Sequence, residues 1–107
     1  MVGGIYLAKI YFTNLSDYKI RPVMVIKQIS DDCICLQLTS KSNKNILSIN
    51  NSDLSSGNIK IESFVVVPKN FTLHKDVLFK KIAVVNNQKL NNIFNLFCKE
   101  INCPSTL

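Results

Sequence analysis

One arginine stands among the thirteen basic residues of this chain, and proline follows it directly: Arg21 in Lys-Ile-Arg-Pro-Val-Met-Val-Ile. A planar guanidinium holds two oxygens of a phosphate or carboxylate at once, so bidentate anion chemistry has a single place to go. A second polar feature is the hydroxyl pair Thr39 and Ser40 in Leu-Gln-Leu-Thr-Ser-Lys, with Lys41 and Lys44 just beyond. If the apolar runs that carry Arg21 and Thr39 pair as antiparallel strands through Ser30 to Asp32, the start of one meets the end of the other at one sheet edge. Arg21, Thr39 and Ser40 then converge, with Lys19, Lys41 and Lys44 nearby. Such a set suits a phosphodiester: the guanidinium opposes charge that builds in a pentacovalent transition state, and hydroxyl and ammonium donors orient the phosphate. The plainer alternative pairs Arg21 with a carboxylate and leaves Thr39 as a strand end.

Other catalytic templates fail. His74 is the sole histidine, expected in a loop after the fifth strand, and the seven carboxylates are scattered. Asp31 and Asp32 have the character of a hairpin turn, where adjacent side chains point apart and cannot form a two-carboxylate or two-metal centre. No Gly-x-x-x-x-Gly-Lys loop, dinucleotide fingerprint or Gly-x-Ser-x-Gly elbow is present. Cys33, Cys35, Cys98 and Cys103 fit no common zinc spacing, and without a secretion signal they read as reduced, buried small hydrophobes.

The elements that must position these groups are mainly strands. Runs at 5–12, 21–29, 32–39, 46–49 and 59–67 are rich in β-branched and aromatic residues and separated by Asn, Ser, Asp or Gly clusters, which predicts a small barrel or strongly bent sheet. Residues 51–57 carry turn chemistry and are expected to form a loop. Pro22 is expected at a strand start or edge, and Pro68 at the end or bend of the fifth strand. After Asn86-Asn87 the period changes: Leu90, Ile93, Phe94, Phe97 and Ile101 line one face of an amphipathic helix that Asn86 or Asn87 caps and that stops before Pro104. The chain is thus expected to be a single domain, with the barrel over about 4–85 and the helix over about 87–102.

At 107 residues the chain has room for one modest core, and its net charge of +6 favours an anionic partner. Its longest apolar runs fall far short of the ~20 residues that span a bilayer. A cytoplasmic protein with no membrane association is the expectation.

In order and spacing these pieces resemble the MazF/PemK family of type II toxins, the endoribonuclease halves of toxin-antitoxin pairs. The similarity runs from Gly4 to about Phe97. It comprises Gly4-Ile5-Tyr6-Leu7 as the opening strand, Arg21-Pro22-Val23-Met24-Val25-Ile26, Leu38-Thr39-Ser40, the serine-led Ser63-Phe64-Val65-Val66, and Thr72-Leu73 with Leu78-Phe79-Lys80-Lys81-Ile82 as the linker before the last helix. The resemblance implies a small SH3-like β-barrel with a C-terminal helix, a homodimer, and neutralisation by a cognate antitoxin whose tail covers the RNA groove. It also implies cleavage of single-stranded RNA without metal or other cofactor, through a 2′,3′-cyclic phosphate, with Arg21 and Thr39 as catalytic residues. Arg21 would stabilise the phosphorane and Thr39 would bind the phosphate. Some members use an Arg-x-Asp pair on the fifth strand; Val66 and Pro68 stand there in this chain, and Phe71-Thr72 and His74 replace further family residues, so no general base is assigned.

In the long first loop, 13–19, which should border the groove, Tyr18 and Lys19, with Phe12 just before it, are expected to supply stacking and phosphate contacts; Tyr18 could equally be a half-buried anchor. Ser40, Lys41 and Lys44 are expected to meet the RNA backbone. Two rival functions fit the same features: a barrel that binds nucleic acid or an antitoxin without cleaving, and a gyrase poison on a related barrel.

Overall fold

The computed structural model describes residues 1–11, 16–41 and 46–101, and of Ile46 and Pro68 it describes the backbone alone. Phe12, Lys44, Cys103 and Pro104 lie outside the described residues. Seven strands form: β1 (Gly4–Tyr11), β2 (Tyr18–Ile29), β3 (Asp32–Thr39), β4 (Ile46–Ile49), β5 (Leu54–Gly57), β6 (Ser63–His74) and β7 (Leu78–Val85); the helix α1 (Asn87–Glu100) follows. All pairings are antiparallel, and the strands make one curled sheet in the order β4-β6-β3-β2-β1-β7-β5. The mainly β fold with a C-terminal helix is the expected one. No helix among the described residues is long and apolar enough to cross a membrane.

The hairpin between β2 and β3 sets the geometry of the whole sheet. Ile29 pairs with Asp32 across a two-residue turn in which Ser30 takes a positive φ of 56°, the backbone such tight hairpins demand. The ladder continues through Lys27 opposite Ile34, gains one extra residue on β2 at a bulge, and resumes with Val25 opposite Cys35 and Val23 opposite Gln37. Side chains alternate between the two sheet faces. On one face Ile5, Met24, Leu36, Leu38 and Val65 are buried, and Leu90, Ile93, Phe94 and Phe97 of α1 pack over them. On the other, Tyr6, Ala8, Val23, Val25, Cys33 and Cys35 form a second core with Phe71 and Leu73. Burial pushes the Cys35 thiol up to about 12 and raises Cys33 as well, so both are inert packing groups rather than nucleophiles.

The helix is capped as expected: the Asn86 side chain accepts the Lys89 N–H at 2.7 Å. Its last regular residue is Glu100, and Ile101 is 45% exposed rather than on the packed stripe. A second cap lies at Asn50, whose side chain accepts the Ser52 N–H at 3.1 Å while the Asp53 carboxylate accepts the Asn50 N–H at 3.0 Å. Asp53 also meets Lys89 at 3.6 Å, which ties this corner to the start of α1.

Four boundaries differ from the sequence reading. Residues 54–57 are strand β5 and not loop, because Leu54 pairs with Val85 and Gly57 with Ala83. The stretch 59–62 is not strand, and the strand expected at 59–67 begins at Ser63 and runs through Pro68 to His74. Pro68 falls where the β3–β6 ladder is interrupted between Leu36 and Leu38, so the missing N–H costs no ladder bond. His74 therefore ends a strand and caps the following turn by accepting the Asp76 N–H, rather than lying in a loop. The segment 78–82, expected as linker, belongs to β7, which pairs with β1. Pro22 sits inside β2, which starts at Tyr18, but one residue before the β3 ladder begins, so it too blocks no bond on that side.

Gly57 carries a φ of 76°, and a Cβ there would overlap the Ile82 carbonyl oxygen. Gly57→Ala is expected to lower stability by about 1–3 kcal/mol, read as a drop in the urea midpoint with unchanged far-UV circular dichroism.

Candidate functional site

The helix covers only part of its sheet face, and beyond Leu38 the face opens into a groove of about 930 Å³. Ile5, Leu7 and Pro22 contribute its apolar part, and Arg21, Thr39 and Ser40 border it. The β2–β3 register explains why Arg21 and Thr39 meet: Val23 faces Gln37, and two further steps at the same register set Arg21 opposite Thr39. Both line the groove, at the edge where the ladder itself has ended.

Arg21 is exposed, and its side chain takes no hydrogen bond or ion pair from any described residue. The alternative in which a carboxylate neutralises it does not hold among the described residues. Thr39 is half-buried and its hydroxyl oxygen accepts the Lys41 N–H at 3.2 Å, which turns the chain at the end of β3. A hydroxyl that accepts one bond still has its own proton to donate, so Thr39 is suited to a ligand oxygen. Ser40 and Lys41 are exposed beside it.

The other candidates divide. Lys44 lies outside the described residues. Tyr18 and Lys19 belong to β2 rather than to a loop, and neither lines the groove. Tyr18 is 45% exposed, and its ring meets that of Tyr11 with centroids 5.4 Å apart.

Three cations went unrecognised in the sequence reading: Lys60 on the segment before β6, and Lys80 and Lys81 on β7. With Arg21 and Lys41 they make five basic residues around the groove among the described residues, and no Asp or Glu is among its lining residues. Lys80 and Lys81 arrive because Leu7 pairs with Lys80 and Tyr6 with Lys81. Lys60 is held by a side-chain clamp, since the Asn51 amide donates to the Ile59 carbonyl at 3.1 Å and accepts the Ile59 N–H at 2.8 Å. That clamp does for 58–61 what a strand ladder does elsewhere.

His74 pairs with Asp32, at the opposite end of β3 from Thr39, about 23 Å away at strand rise. It cannot act at the groove. Val66 sits opposite Ile46 in β6, away from the lining residues.

No family model matches the chain, and no curated protein matches it in sequence. Solved structures do match in shape. An endoribonuclease in complex with its cognate antitoxin, from a mycobacterial species, superposes with a TM-score of 0.76 over 97% of this chain and 96% of that one at 17% identity. A second mycobacterial endoribonuclease gives 0.73 over 97% and 92%, also at 17% identity. The chain has the fold of these endoribonucleases. At that identity the likeness lies in the path of the backbone, and the chemistry of this groove follows from its own side chains.

The groove lysines give a test of position against total charge. Lys80→Ala with Lys81→Ala is expected to elute from heparin at clearly lower salt than Lys27→Ala with Lys69→Ala, which removes equal charge from exposed sites outside the groove.

Proposed function

We propose that this chain is the toxin of a type II toxin-antitoxin pair and cleaves single-stranded RNA without a metal ion. One observation carries the reading: the only arginine of the chain and Thr39 line one groove bordered by basic residues, on the fold of known endoribonucleases. Five cations and no carboxylate suit a polyanion. A groove with an apolar floor suits unstacked bases better than a duplex.

In the proposed reaction the RNA's own 2′-hydroxyl attacks the neighbouring phosphorus. The new P–O2′ bond forms as the P–O5′ bond breaks, leaving a 2′,3′-cyclic phosphate and a 5′-hydroxyl. Arg21 holds two non-bridging oxygens and opposes the charge gained in the phosphorane. Thr39 donates to the same phosphate, and Lys41 fixes the adjoining backbone. Catalysis in this scheme comes from fixed protein charges, and among the described residues no group of three His, Cys, Asp or Glu side chains converges as metal ligands. No histidine or carboxylate lines the groove, so the 2′-hydroxyl proton passes to solvent and the leaving oxygen takes one from solvent.

The cognate antitoxin is proposed to lay an acidic, extended segment into the same groove, where it would neutralise the five cations. A homodimer is proposed with it, as the resemblance implies.

Incubation of the protein with defined single-stranded RNA in a chelator is expected to yield cyclic-phosphate and 5′-hydroxyl ends. Arg21→Ala should lower the rate at least about a hundredfold, and Thr39→Val by about tenfold or more, with melting temperatures unchanged. Arg21→Lys should rescue little, because an ammonium lacks the fork. Undiminished cleavage by Arg21→Ala would overturn the assignment, and retarded but intact RNA would identify a binder that does not cleave. With solvent as base, the logarithm of the rate should climb steadily with pH from about 5 to 9, whereas a plateau near neutrality would reveal a protein base.

A further inference from the structure

The floor of the groove does not stop at Arg21. Along β1 and β2 the cross-strand pairs are Leu7 with Pro22, then Lys9 with Ile20, then Tyr11 with Tyr18. Their spacing of two residues puts all three pairs on one sheet face. Leu7 and Pro22 line the groove, so the next two pairs continue it along the ribbon.

What they build is an exposed aromatic surface around one cation. Tyr11 is 47% exposed, Tyr18 45% and Ile20 49%, and Phe79 joins them from β7 at 45%. The Tyr11 and Tyr18 rings meet at a 54° tilt. Lys9 extends its ammonium over Tyr18, 5.1 Å from the ring centroid, and over Phe79 at 5.8 Å. A cation shared between two rings restrains both, and their uncovered area remains available for stacking.

Large apolar side chains this exposed and this close together mark a contact surface. Charge and ring content identify its occupant. The patch contains a lysine and no acidic residue, it is continuous with a groove lined by five cations, and three of its four large side chains are aromatic. A single-stranded nucleic acid matches each of these, with a planar π face on every unit and an anionic charge between units.

We propose that Tyr11, Tyr18 and Phe79, with Lys9 between the rings, form a base-stacking platform that binds the RNA strand to one side of the scissile phosphate. This rests on the RNA-cleaving reading above and extends its site to residues outside the groove. The Tyr11–Tyr18 pair lies three residues along β1 from Ala8, the partner of Arg21, so the backbone of the platform begins about 10 Å along the ribbon from that of Arg21. An RNA too short to cover that distance gains nothing from it.

The test is a length comparison on the full chain, using fluorescence anisotropy with oligouridines whose 2′-oxygens are methylated to prevent cleavage. Wild-type protein should bind an oligomer of about ten nucleotides at least tenfold more tightly than one of about four. In Tyr11→Leu and Phe79→Leu, which keep apolar bulk but lack a π face, most of that gain should vanish. Tyr11→Phe and Phe79→Tyr should restore it. A gain that persists in the leucine variants overturns the platform and leaves the cleavage assignment standing. The platform is likewise overturned if those variants weaken self-association or antitoxin binding while RNA affinity is unchanged. Should wild-type protein neither bind nor cleave RNA of any length, the functional reading falls and the platform with it.

Discussion

Everything at the groove depends on the register between β2 and β3. The two-residue turn at Ser30-Asp31 starts the ladder with Ile29 facing Asp32, and the bulge beyond Lys27 advances β2 by one residue before Val25 meets Cys35. Without that extra residue Arg21 would align with Ser40 instead of Thr39. A slip of one residue inverts every side chain of a strand, so the register also sets the face from which Arg21 reaches the groove. The small cores on both faces hold the register against such a slip: Met24 and Leu36 are buried on one side, Val25 and Cys35 on the other. Packing on the two faces therefore fixes the position of an arginine that itself makes no hydrogen bond or ion pair among the described residues.

The charge of the chain acquires meaning only through this geometry. Twelve lysines are dispersed along the sequence, and four of them reach the groove from three separate stretches. The lining acids number none, so among the described residues the groove field is set by cations at short range. Asp31 and Asp53 are occupied with Lys75 and Lys89, and Asp76 lies beside His74, away from the groove. The engagement of these three acids elsewhere is as much a part of the site as the presence of the arginine.

Much of this was legible in the sequence because it rests on local signals. Alternation revealed β2 and β3, the polar run Ser30 to Asp32 revealed their turn although Asp32 itself belongs to β3, and those two facts were enough to set Arg21 and Thr39 at one sheet edge. The change to a helical period after Asn86 was equally plain. What escaped was non-local. Leu54-Ser-Ser-Gly57 has the composition of a loop and becomes a strand only because β7 lies beside it. Residues 78–85 were obscured by the consecutive lysines Lys80 and Lys81, which break the alternation at a bulge where β1 changes register. Missing that strand meant missing the groove wall it carries. The Asn51 clamp on Ile59 joins side chain to backbone across eight residues, and a single asparagine in a polar stretch gives no sign of its partner.

The pairing of β1 with β7 has a consequence for the timing of synthesis. Strands β2 and β3 can zip as soon as they leave the ribosome, because their contacts are close in sequence. The groove cannot form then, since Ile5 and Leu7 must wait for Lys80, Lys81 and Ile82, which are made only after β2 to β6 have been synthesised. A nascent chain thus carries Arg21 and Thr39 in register while one wall of the groove is still missing. A product interrupted before β7 therefore retains the hairpin but not the cleft around it.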